Sequence, residues 1–179
     1  GSEVKQTGYY SLVIGTELSK LFAGNVADGS LRYISGNVLT GTKIESNGAL
    51  RAIHSQITVI PEGDDVHEFV GWASLSPNRY SAGNTYLQLK KGYRMDARVL
   101  GGPRAIIVSN EYEKVFPMDV MPEQLIKSTI AFNIDKMEQL GIYEVAPEDF
   151  ALCEFVDTSK LEDQRIIRVG LDQLRKEME

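Results

Sequence analysis

The chain has 179 residues, of which 42% are hydrophobic and 25% charged, with a formal net charge of -6. Those totals suit one domain, or one with an appended subdomain, that buries roughly 70% of its unfolded surface without a metal or disulfide staple. The acidic balance excludes a generic nucleic-acid binder, which needs surplus Lys and Arg to displace phosphate counterions, and no apolar run reaches the roughly 20 residues of a membrane span.

Fourteen of the 16 glycines lie at or before Gly102, leaving only Gly141 and Gly170 beyond it. This divides a turn-dense, strand-rich body over residues 1–116 from a helix with closing strands over 117–179, expected to share one domain. Cys153 is the single cysteine, so no disulfide can form within the chain. A cytoplasmic or virion-associated setting follows from that mild lean towards a reducing compartment. Gly1-Ser2 reads as an expression scar, which leaves a removed signal peptide or anchor, and hence export, open.

In chain order, residues 9–14 (YYSLVI) read as a first strand. Thr16 is placed to cap a short helix over ELSKLFA, which Gly24 closes. Asp28-Gly29 turns the chain into a strand over residues 31–35. Strands over 37–45 and 49–60 flank Ser46-Asn47-Gly48, and Asn-Gly between such runs is a strong hairpin signal because a type I′ turn needs positive φ twice. Strands over 66–75 and 85–89 follow. Residues 93–99 alternate Tyr93, Met95, Ala97 and Val99 against Arg94, Asp96 and Arg98, and Gly101-Gly102 returns the chain as a partner strand over 105–109.

Pro122 opens a helix expected over residues 122–140, with Ile126, Ile130, Ile134, Met137 and Leu140 at helical spacing and Gly141 as its stop. Residues 142–146 and 150–156 read as strands. For the tail, a strand over 165–169 ending near Gly170 and then a short terminal helix is preferred to one continuous helix. The expected class is α+β, mainly β: an antiparallel barrel or curved sheet of about seven to nine strands, or alternatively a sandwich, covered by the long helix.

The constellations that carry chemistry are sparse. No phosphate loop, dinucleotide fingerprint, paired-cysteine zinc motif or nucleophile elbow is present. Cys153 with His54 or His67 and Arg165 is the one set able to form a nucleophilic site, since a thiolate needs a base or cation beside it. Phe150-Ala151-Leu152-Cys153 followed by Arg165-Ile166-Ile167-Arg168 loosely resembles the cysteine–arginine end of the sortase transpeptidases. The resemblance spans about twenty residues and lacks the Thr-Leu-x-Thr-Cys run; it implies Cys153 as nucleophile and Arg165 as oxyanion partner. The plainer reading is a buried packing cysteine.

Asp65 and His67 share a strand face and supply two ligands of a cation site, or a solvated hairpin tip. Arg94 and Arg98 form a row suited to a carboxylate or phosphate, or to ordinary cross-strand ion pairs. Arg94-x-x-x-Arg98 resembles one half of the PilZ motif, whose second half is missing. Glu111-Tyr112-Glu113 sets two carboxylates on one side of a strand. Tyr80, Tyr86 and Trp72 are candidate contact aromatics.

The expectation is therefore a non-enzymatic binding or assembly protein, of virion, apparatus, adaptor or inhibitor type, acting through a protein partner or self-association. No cofactor is expected. A cysteine hydrolase or transferase using Cys153, and a sensor of a small anion or nucleotide, are the alternatives.

Overall fold

A computed structural model describes residues 1–64, 80 and 92–179. The protein is α+β and divides into two compact units, Gly1–Arg98 and Val99–Glu179.

The first unit begins with α1 (Ser19–Phe22), one turn of helix. The expected Thr16 cap is displaced: Leu18 occupies the cap position, while Gly24, at φ +72°, does end the element. Three strands follow, β1 (Leu31–Ser35), β2 (Thr42–Ile44) and β3 (Ile57–Pro61). They form an antiparallel sheet in the order β2-β1-β3, with Tyr33 opposite Ile44 on one side and Val59 on the other. β1 matches its expected span, whereas its neighbours are much shorter than expected.

The Asn47-Gly48 turn forms, with the Gly48 N–H donating to the Glu45 carbonyl at 2.9 Å. It is not the hairpin expected, because β2 and β3 lie on opposite sides of β1. The chain leaving the turn pairs instead with the segment before α1: Ala49 bridges Glu17, and the Leu18 N–H donates to the Gly48 carbonyl at 3.0 Å. Burial of Leu18 with Phe22 and Val59 explains the diversion, since pairing at 17–18 brings the helix onto the sheet. The rings of Phe22 and Tyr33 pack with centroids 4.6 Å apart.

Among the described residues no closed barrel appears. Residues 9–14 form no strand: Tyr9, Val13 and Ile14 are exposed, and β-branched residues hold a strand only when neighbours pack against them. The alternating run at 93–99 joins no ladder, and its expected partner over 105–109 is not a strand either. Among the described residues, the Ala97 N–H donates to the Pro61 carbonyl at 3.0 Å and ties it to the end of β3. The strands expected over 66–75 and 85–89 lie outside the described residues.

The second unit is helical. Pro122 starts α2 (Pro122–Ile130) and Gly141, at φ +85°, follows α3 (Ile134–Gln139), so both expected ends hold while the expected single helix does not. The break has a local cause. The Asn133 N–H reaches back to the Ser128 carbonyl at 3.0 Å around Phe132 at φ 49°, a left-handed helix ending. Asn133 then caps α3, its side-chain oxygen accepting the Lys136 N–H at 3.1 Å.

Beyond Gly141 the expected strands are all helical. Single 3-10 turns occupy Ile142–Glu144 and Pro147–Phe150, then come α4 (Ala151–Val156) and α5 (Asp163–Met178). The reason is visible in α5, where Asp163, Ile167, Gly170 and Leu174 are buried at intervals of three and four. A strand over 165–169 would have buried alternate residues, yet Arg168 and Val169 are both exposed. Leu125, Ile126, Met137, Phe150, Cys153 and Ile167 form the core between these helices.

Gly170 is where α5 crosses closest to its neighbour, as a Cβ there would lie 2.5 Å from Thr129 Cγ2. Alanine normally stabilises a helix interior by about 1 kcal/mol over glycine. Gly170→Ala should instead lower the midpoint of thermal unfolding, and Thr129→Ser, which removes the obstructing methyl, should restore it in the double variant. A single Gly170→Ala variant that melts higher than the parent would show that the helices do not meet there.

Candidate functional site

In the first unit, Ser35 ends β1 fully buried, and its hydroxyl lies 2.8 Å from His54 Nδ1 while accepting the Arg51 N–H at 3.0 Å. Ser35 therefore bridges the Arg51 backbone and the His54 ring, and which of the hydroxyl and Nδ1 donates is set by the imidazole tautomer. Gly36, at φ +101°, makes room for this contact: a Cβ would stand 3.3 Å from the imidazole. His54 also lines a cavity of about 70 Å³ with Leu12, Val13, Ile14, Leu50 and Arg51.

An ion network sits at the far end of the same sheet. Arg32 donates from Nε and Nη2 to the two Glu62 oxygens, and Lys43 Nζ reaches Glu62 at 3.1 Å. The Arg32 guanidinium, then Lys43, hold the Glu62 carboxyl at about 2, against the opposing effect of burial. A carboxyl lowered in this way adds stability above its unfolded value of 4.5 that is lost as pH falls towards 2. Urea unfolding between pH 2 and 6 should therefore show a steeper loss in the parent than in Arg32→Ala, whose Glu62 titrates nearer the ordinary range. Identical pH slopes would remove this pair from the unit's acid stability.

The candidate binding arginines are both engaged within the first unit. Arg94 grips buried Glu3 through two bonds of 2.8 and 2.7 Å, and Arg98 bonds Asp96 through Nε at 2.9 Å. Arg98 also lies against Gly63, where a Cβ would meet its side chain at 2.9 Å. Tyr80 packs on Tyr93 with ring centroids 5.7 Å apart. Trp72, Tyr86, Asp65 and His67 lie outside the described residues. Among the described residues no group of three or more His, Cys, Asp or Glu side chains could hold a metal ion.

Cys153, within α4, has no exposure at all. Burial, followed by the nearby carboxylates of Asp163, Glu113 and Asp157, pushes its thiol up to about 12. These surroundings are the reverse of those that make a nucleophile. Arg165 is exposed and bound to Glu162 at 2.9 Å, and His54 is committed to Ser35 in the other unit. A thiol reagent should label Cys153 only after denaturant is added. Rapid labelling of the native protein would contradict the burial.

The most unusual chemistry is one that reading the sequence missed. Tyr112, Asp157 and Asp163 converge inside the second unit with 1%, 2% and 0% exposure. The two Asp157 oxygens accept the N–H groups of Ser159 at 2.8 Å and Leu161 at 2.7 Å. Both Asp163 oxygens and the Tyr112 hydroxyl are buried without a closed hydrogen bond among the described residues. Burial first, then the charges of Asp157 and Glu154, pushes the Asp163 carboxyl up to about 7, against the opposing Tyr112 hydroxyl. Glu111 and Glu113 flank Tyr112 in a turn rather than on a strand, and Glu111 pairs with Lys114 at 2.6 Å. In sequence, Asp163 resembles any exposed acid in a helix's first turn, so only its neighbours reveal it.

Comparison with known proteins gives a consistent answer. A family model described as the NQRA C-terminal domain matches residues 1–46. The NQRA subunit of the Na(+)-translocating NADH-quinone reductase from Pasteurella multocida is 37% identical over 180 residues, 99% of this chain and 40% of the relative. Its counterparts from Neisseria meningitidis and Saccharophagus degradans are 36% identical over 99% of the chain and 39% identical over 92% of it, respectively. The chain spans about 40% of the length of the curated relatives it matches.

These relatives overturn the expectation of a non-enzymatic virion, apparatus, adaptor or inhibitor protein, together with its cysteine-hydrolase and anion-sensor alternatives. The error had a physical source. Reading function from reactive side chains finds nothing in a chain whose likeness to its relatives extends over nearly its whole length but only about 40% of theirs.

Proposed function

We propose that this chain is part of the NQRA subunit of a Na(+)-translocating NADH-quinone reductase and works inside that complex. The observation that carries the reading is identity of 36–39% sustained over 92–99% of the chain. The reaction class is the passage of two electrons from a reduced nicotinamide, which releases one proton, to a quinone, which takes up two protons with the second drawn from water, linked to sodium movement. Among the described residues, no helix is long and apolar enough to cross a membrane.

Within such a subunit, the apolar segment holding Tyr9, Val13 and Ile14, together with Ile53, is assigned to contact with the rest of the polypeptide. All four side chains stand 78% or more exposed, too much apolar surface for so few residues to leave in water. More than half the length of the relatives lies outside the aligned stretch and is available to cover it.

The test is a chimaera. Replacing the aligned 180 residues of the Pasteurella multocida relative with this chain should preserve sodium-dependent NADH:quinone reduction in the assembled complex. An assembled complex that reduces no quinone would overturn the proposal. Val13→Ser with Ile14→Ser should leave the melting of the separate chain unchanged, because both side chains are exposed, but should impair assembly of the chimaera. Normal assembly would remove residues 9–14 from the interface.

A further inference from the structure

We propose that Asp163, with Tyr112 and Asp157, is a proton-operated latch that holds the start of α5 against the end of α4. Donors and acceptors do not balance in this cluster. Asp157 is anchored as an acceptor by two backbone N–H groups, and no Lys, Arg or His side chain forms an ion pair with either carboxylate among the described residues. Asp163 brings two more acceptor oxygens, and Tyr112 is the only side-chain donor facing them among the described residues. When both acids are ionised, one hydroxyl serves two buried carboxylates, which repel each other.

A proton on Asp163 supplies the missing donor. Its O–H is then shared with Asp157, and the Tyr112 hydroxyl is free to bond the remaining oxygen. The proton is taken from water and returned to it, with no other bond made or broken. What it joins is mechanically specific, because Asp157 follows α4, Asp163 begins α5, and Lys160 between them holds a left-handed φ of 56°.

The other ionisable groups around these elements are occupied or of the same sign. Glu154, on α4, accepts from the Gln164 N–H at 3.1 Å and adds negative charge. Cys153 lies beside the cluster with Glu113 behind it. Glu148, from the 3-10 turn, pairs with Arg168 on α5, while Asp149 accepts the Ala146 N–H. From α2, buried Glu123 accepts from Ser109. No positive charge among them compensates Asp163.

A folded carboxyl raised from 3.8 to about 7 contributes stability that is complete below the lower value and lost as pH rises to the higher one. Hydrogen exchange on the full 179-residue chain, corrected for intrinsic rate, reads this locally. Protection of the first turns of α5 should fall by up to about tenfold per pH unit between pH 5 and 7 and level off above, while β1 amides stay constant. Asp163→Asn, neutral and of equal shape, should abolish that slope and keep α5 protected at pH 8. A flat profile in the parent, or the same slope in Asp163→Asn, overturns the proposal. Should that variant not fold, the carboxyl carbon resonance of Asp163 in the parent decides: a midpoint near neutrality sustains the latch, and one in the ordinary carboxylate range overturns it.

Discussion

The helical unit depends on how closely α5 can lie on α2. With no Cβ at Gly170, the backbone comes within reach of Thr129, and that approach carries Ile167 and Leu174 into contact with Leu125, Ile126 and Met137. Apolar burial drives the packing, but shape decides its distance, because a single added methyl would occupy space already filled. The same approach draws the start of α5 inward. Asp163 is thereby stripped of water at a position where an acid would normally face solvent and favour the helix dipole.

The first unit solves a different problem. Among its described residues three short strands form the sheet, and polar groups bond at the sheet margins. Buried Ser35 ties the end of β1 to His54 and Arg51, and Glu62 gathers Arg32 and Lys43 at the opposite margin. Buried Glu3 and half-buried Glu62 of this unit both have cationic partners. The second unit leaves Asp163 without one. That contrast explains why one unit has an acid held well below its ordinary range and the other an acid raised to about neutrality.

The similarity to reductase subunits and the lack of familiar reactive motifs are compatible. Catalytic signatures concentrate where substrate and cofactor meet, whereas a segment that spans about 40% of its relatives can be retained for its packing and its contacts. Cys153 illustrates the difference. As a letter it suggested a nucleophile; as a side chain it fills space in the helical core, among carboxylates that disfavour its thiolate.

Local chemistry determined what could be read without coordinates. Residues 31–35 form a strand as their β-prone side chains predict, Pro122 begins a helix because its missing N–H costs nothing there, and Gly141 ends one because it accepts positive φ. Tertiary structure decided the rest. Residues 150–156 and 165–169 carry side chains that serve either strand or helix, and the choice fell to helix because α5 packs against α2 and α4 packs against α5, surfaces with a period near 3.6 rather than a sheet edge with a period of 2. Residues 9–14 had every local preference for a strand but no partner to pair with among the described residues. The acid cluster was the least legible feature, since the energy of a buried charge resides in what surrounds it, and Tyr112, Asp157 and Asp163 become neighbours only when the chain has folded.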